Sequence, residues 1–272
     1  MEMFGFDAYS PQQIAERIEA VGVAKARLPL PAMFVLGICA GGFIGLGALY
    51  STLIASDPAL SFAASRLLSG LTFSMRLVLV VVAGAELFTG NNLLVMAWAE
   101  GKITTLELLR NWSVVYLGNA VGAIGLAVIV WLSHHGDFSQ GVVAAQYVTI
   151  AGQKVALPFW EAFYKGVLCN LLVCLAVWMA MAGRSVTDKV VAILFPISAF
   201  VAAGFEHSVA NMYLIPLGIL LSLGAPSGGP VPDWLSFGSS LAPVTLGNMA
   251  GGSIMVAAIY HLIYRRALKR SA

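Results

Sequence analysis

Gly84-Ala85-Glu86-Leu87-Phe88-Thr89-Gly90-Asn91 and Gly204-Phe205-Glu206-His207-Ser208-Val209-Ala210-Asn211 cut two apolar stretches of this chain with one pattern: Gly-x-Glu, then Asn five positions on. Ionisable residues at membrane depth are costly and normally face a partner or a water-filled path. Two matched acidic breaks in matched surroundings imply one pathway built by two repeats, the signature of a transporter or channel.

Composition agrees. Hydrophobic residues make up 59% of the 272 positions and charged residues 10%, with a mean hydropathy of +0.87, against about 25% charged residues in soluble domains. Such a chain cannot cover itself with polar surface and must be solvated by membrane lipid. A net charge of +2, with basic residues at segment ends, gives no face for nucleic acid. Cys39, Cys169 and Cys174 lie in apolar runs without metal-ligand spacing and read as packing residues. No metal or cofactor is expected. The N-terminus carries Glu2, Asp7 and Glu16 and lacks the basic and apolar regions of a cleaved leader, so the first span is expected to serve as its own insertion signal.

Stretches long enough to cross a bilayer, about 20 apolar residues, fall near 30–54, 67–98, 112–133, 157–182, 189–222 and 240–264. The second and fifth are too long for one straight crossing, and each holds a Glu…Asn break near its middle. Irregular backbone at that depth is tolerated only when buried in protein or lining a cavity. Leu117-Gly118-Asn119 in the third span echoes Leu246-Gly247-Asn248 in the sixth, although a short tripeptide of common residues can recur by coincidence. With three spans per half the second copy enters from the opposite face. The expected fold is an all-α membrane bundle of six transmembrane helices, two inverted three-helix repeats with broken second and fifth helices. Gly41/Gly45, Gly118/Gly122 and Gly247/Gly251 supply small residues for close helix contact.

Lys25, Arg27, Lys102, Arg110, Arg184, Lys189, Arg265, Arg266, Lys269 and Arg270 fall on one face of a six-span chain, which predicts cytoplasmic termini. Arg66, Lys154 and the turn-rich Ala225–Asp233 stretch fall on the other. Ile14, Ile18 and Val21 repeat with helical spacing, so residues 1–28 are expected to hold an amphipathic surface helix. Residues 29–266 form the membrane domain and 267–272 a cytoplasmic tail.

Ala85–Asn91, Gly204–Met212 and Val244–Asn248 resemble the signature segments of the formate/nitrite transporter family, and the likeness runs from about residue 12 to about residue 264. That resemblance implies an aquaporin-like fold assembled as a homopentamer with one pore per protomer, in a bacterial or archaeal inner membrane. By position it makes His207 the central pore histidine and Thr89 the polar group facing it. Asn170 and Asn248 become pore asparagines, Lys154 a vestibule lysine and Glu206 its acidic neighbour. Phe73, Leu77, Leu87, Phe88 and Phe200 become apolar constrictions. Arg76 departs from the family pattern, which has a small residue there. It either gathers anions in an outer vestibule or snorkels toward the membrane surface.

The chemistry has its own rationale. A small monovalent anion loses hydration in an apolar constriction, at a cost of several kcal/mol. A proton from an imidazole would remove much of that cost, and Thr89, Asn170 and Asn248 offer hydrogen bonds. The bland alternative is a histidine that only satisfies Glu206 or Asn211. The resulting expectation is a non-enzymatic channel or proton-coupled carrier for formate, with nitrite, hydrosulfide, acetate and lactate as alternatives. A membrane-embedded subunit of a redox enzyme is the competing class. It would need a second deep histidine for haem, and His134, His135 and His261 lie near loops or span ends. A neutral-solute channel would need paired Asn-Pro-Ala loops, which are missing from this sequence.

Overall fold

The computed structural model describes residues 7–223 and 232–267, so most of the expected turn-rich stretch and the final tail lie outside the described residues. The described chain is helical, with a single isolated β-bridge between Ala8 and Gly183. A short amphipathic helix α1 (Pro11–Ala26) precedes the first span, α2 (Leu30–Ala55). Next come α3 (Phe62–Gly84), a 3-10 turn (Gly90–Leu94), the short α4 (Val95–Ala99) and α5 (Thr105–Leu132). The second half holds α6 (Val142–Val155), α7 (Phe159–Ala182), α8 (Val186–Ala202), α9 (Ser208–Ser222) and α10 (Trp234–Arg265).

Five of these helices are long and apolar enough to cross a membrane: α2, α3, α5, α7 and α10. The sixth crossing is the broken pair α8 and α9, of 17 and 15 residues. The expected second span differs from that pair. Its break does not fall midway, because α3 alone runs 23 residues and crosses by itself before the chain turns. Helix α6 was not expected at all; its apolar positions Val143, Tyr147 and Ala151 lie one turn apart and are buried against the bundle.

Helix ends are closed by side chains, which relieves the unpaired N–H groups of a first turn. Ser10 with Gln13, Thr104 with Glu107, Ser185 with Asp188 and Asp233 with Ser236 form reciprocal caps at α1, α5, α8 and α10. The Asp233 carboxylate, fixed by the Ser236 backbone N–H, is held below its ordinary pKa.

Within each half the outer spans meet through glycine. A Cβ on Gly122 would strike the Ile38 carbonyl of α2, and one on Gly251 would strike the Val167 carbonyl of α7. Gly37 packs on Gly118 and Gly166 on Gly247 in the same manner. Every one of these pairs is related to its counterpart by 129 positions, so the α2–α5 and α7–α10 contacts are copies. Large apolar side chains such as Phe195, Leu235, Phe62 and Leu106 stay exposed on the outer surface, where lipid or a neighbouring protomer replaces water. Cys39, expected to pack, is among the exposed residues.

Candidate functional site

Both breaks begin at a glycine in the left-handed region, Gly84 at φ +85° and Gly204 at φ +75°, a conformation other residues adopt only with strain. The chain then runs extended and is held by hydrogen bonds that correspond one for one. The Ala85 N–H donates to the Val80 carbonyl at 3.1 Å, and the Phe205 N–H to the Phe200 carbonyl at 3.0 Å. Glu86 N–H reaches Leu36 O at 3.2 Å, and Glu206 N–H reaches Lys165 O at 3.3 Å.

An asparagine clamps each loop. Asn119 Nδ2 donates to the carbonyls of Gly37 and Glu86, both at 2.8 Å, and its Oδ1 accepts from Phe88 N–H at 2.9 Å. Asn248 Nδ2 donates to Gly166 O at 2.9 Å and Glu206 O at 3.0 Å, while its Oδ1 accepts from Ser208 N–H at 2.9 Å. The Leu-Gly-Asn echo in the sequence is therefore a repeated clamp. Asn248, counted among pore-facing donors from the resemblance, has its amide engaged with backbone. Asn170 likewise spends Nδ2 on the carbonyls of Asn248 (2.7 Å) and Thr89 (3.2 Å), leaving its Oδ1 unpartnered.

Each break also carries a buried ion pair. Lys154 Nζ meets Glu206 at 2.8 Å, and Asn211 Nδ2 donates to the same carboxylate at 2.8 Å. Lys25 Nζ meets Glu86 at 2.9 Å, and Asn91 Nδ2 donates to it at 2.7 Å. Lys25 read in the sequence only as a loop charge. Its signal was available: 129 positions separate it from Lys154, and α1 and α6 are the corresponding elements of the two halves.

Two cavities of about 580 and 600 Å³ flank the breaks and share no lining residue. The first is lined by Lys25, Glu86, Asn91, Leu77 and Leu87 beside α1. The second is lined by Lys154, Glu206, Phe73, Phe200 and His207 beside α6. Arg66 lies at the second cavity and donates to the carbonyls of Ala202 (2.9 Å) and Val201 (3.0 Å), closing the C-terminus of α8 with a favourable charge. Phe88 lines neither cavity; it is buried edge-on against Trp112 and Tyr116.

Between the cavities, Thr89 Oγ1 and His207 Nε2 are 2.9 Å apart, and both residues are buried. His207 is also the N-cap of α9, its Nδ1 accepting the Ala210 backbone N–H at 3.1 Å. A backbone N–H can only donate, so Nδ1 carries no proton in this arrangement and the ring's hydrogen is on Nε2, directed at Thr89. The expected bland partners, Glu206 and Asn211, bond to one another and to Lys154 instead. Arg76 matches neither expectation for it: it is wholly buried, reaching neither an open vestibule nor the membrane surface.

Outside this region, Glu19, Glu100 and His261 bring ligand-type atoms within 4.8 Å of one another. Lys102 and Arg265 each reach Glu19 at 2.6 Å, so positive charge is already supplied and the cluster ties α1 to the end of α10. The loop histidines stay apart from the site, with His134 Nδ1 3.4 Å from Asp137.

The formate/nitrite transporter family profile matches residues 12–262. The formate channel FocA of Escherichia coli (strain K12) is 39% identical over 274 residues, covering 96% of both chains. FocA of Haemophilus influenzae is 36% identical over 267 residues, 92% of both. A solved pentameric formate channel with formate bound superposes with a TM-score of 0.81 at 39% identity, covering 86% of this chain and 97% of that one. An FNT family ion channel gives 0.78 at 31% identity, over 91% and 97%. These relatives are channels and not enzymes, and with the doubled break, the clamps and the apolar spans they place the assignment beyond the fold alone: the chain belongs to the formate/nitrite transporter family.

Proposed function

We propose that this protein carries formate and similar small monovalent anions across the inner membrane of a bacterial or archaeal cell, as a homopentamer with one pore per protomer and both termini cytoplasmic. Residues 29–266 are the transporting unit, and α1 borders the first mouth. Substrate enters the cavity at Lys154 or Lys25, whose charges attract it. It passes the apolar girdle of Leu77 and Leu87 on one side and Phe73 and Phe200 on the other. The observation that carries the reading is the buried Thr89–His207 contact at 2.9 Å between the two cavities.

At that point an anion has lost its water, and the barrier falls if it accepts a proton. The neutral ring gives a hydrogen bond through Nε2, relayed by the Thr89 hydroxyl. A full proton must come from the imidazolium, whose second hydrogen occupies Nδ1 and displaces the Ala210 N–H. Charging the ring therefore costs the α9 cap, a hydrogen bond of about 1 kcal/mol, and sets like charge against a helix N-terminus. Acidification drives that exchange, so flux rises as pH falls. Uptake of labelled formate into proteoliposomes with and without an imposed pH gradient tests this. His207→Asn should abolish the pH dependence, and unaltered dependence in that variant removes the proton role.

A further inference from the structure

Arg76 is placed in α3 one turn from Phe73 and next to Leu77, yet it lines neither cavity. It occupies the barrier between them. Its relative exposure is 0%, and none of its three side-chain nitrogens has a hydrogen-bond partner among the described residues. The guanidinium carbon lies 4.4 Å from the centre of the Phe73 ring and 4.9 Å from that of Phe200. The Phe200 ring in turn stacks on His207, 6.3 Å between centres and 23° between planes.

The other buried charges along the path are matched: Glu86 with Lys25, Glu206 with Lys154, Glu19 with Lys102 and Arg265. Arg76 has only aromatic faces. Cation–π contacts recover only part of what it costs to take a charge out of water. Five N–H donors in a planar fork, dry and unused, are the complement of a small planar oxyanion. Gly47 of α2 leaves room for this side chain, since a Cβ there would lie 2.8 Å from the Arg76 Cβ.

We propose that Arg76 is the fixed cation of a binding site for a dehydrated monovalent oxyanion in the barrier, beside Phe73, Phe200 and His207. It rests on the pore reading above and adds to it. An anion paired with a permanent charge crosses the girdle without first being protonated, so conjugate bases of strong acids become permeant. A pore relying on histidine alone would exclude them.

Nitrate is the probe, because imidazole cannot protonate it. In planar bilayers the wild type should pass a saturable nitrate current. Arg76→Gly should lower it by about tenfold or more, and Arg76→Lys should restore part of it, less than the fork geometry gives. Formate flux remaining in Arg76→Gly should depend more steeply on pH, only the histidine route being left. A wild type that passes formate but no nitrate overturns the proposal, as does a full nitrate current in Arg76→Gly. Should the glycine variant not assemble, the wild-type oligomer in detergent decides: titration to about 100 mM nitrate should raise its melting temperature above that in equimolar gluconate, which is too large for the barrier. Equal melting temperatures overturn the proposal. A wild type that binds nitrate by this measure but moves no formate leaves Arg76 as an anion site and discards the pore reading.

Discussion

The first break, Gly84–Asn91, and the second, Gly204–Asn211, share a scaffold and differ in cargo. Both start at a left-handed glycine, take an asparagine clamp from the last span of their half and pair a glutamate with a lysine. Yet Leu87 stands where the second break has His207, and Val209 where the first has Thr89. The single polar contact at the centre therefore takes one group from each half, at positions the repeat does not relate. The difference teaches that the repeat supplies the path's walls, and that its chemistry lies in the departures from symmetry.

That comparison can be broken most severely at the glycine contacts. Gly122→Ala and Gly251→Ala each drive a Cβ into a neighbouring helix backbone, and each should cost about 3 kcal/mol. The melting temperature of the purified oligomer checks this, and a loss in one half only would show that the halves are not held alike. The clamps come next. Asn119→Ala and Asn248→Ala leave a buried N–H and two carbonyls short of a partner, at about 2 kcal/mol each. Matched losses by the same measurement, with flux lost in both, support a common role.

A sharper test copies one half onto the other. His207→Leu removes the α9 cap at about 1 kcal/mol and should flatten the dependence of formate uptake on pH. Leu87→His should create no second titrating step, because Val209 gives it no hydroxyl partner and a 3-10 turn, not an α-helix, follows it. A pH profile with two steps would contradict that. The smallest effect is expected at Glu161, which pairs with Lys165 one turn away at 2.7 Å and half exposed, where the first half has Ala32 and Leu36. Glu161→Ala should shift stability by no more than about 0.5 kcal/mol.

The span pattern was legible because hydropathy acts over some twenty residues and needs no partner. The break positions were legible because a glutamate two residues after a glycine, inside an apolar run, is a charge that lipid does not tolerate. Helix α6 escaped because its 14 residues mix Gln146, Thr149 and Lys154 with its apolar face, which is below the length of a crossing. Only its buried stripe and the spacing from Lys25 mark it. Asn248 read as a pore donor because an asparagine is equally suited to substrate and to backbone; which of the two it binds depends on what the folded loop brings within 3 Å.

Residue types in order thus dictated a membrane bundle with two interruptions and the acidic residue at each, since desolvation is a local cost the chain must answer wherever it occurs. Pairing is different. That Lys25 meets Glu86, that Thr89 meets His207 across 118 positions, and that Arg76 lies dry between two aromatic rings follow from how the inverted halves close on one another. Hydrogen bonds and ion pairs act over a few ångströms, and separation along a chain says nothing of that distance until the glycine contacts have set the helices together.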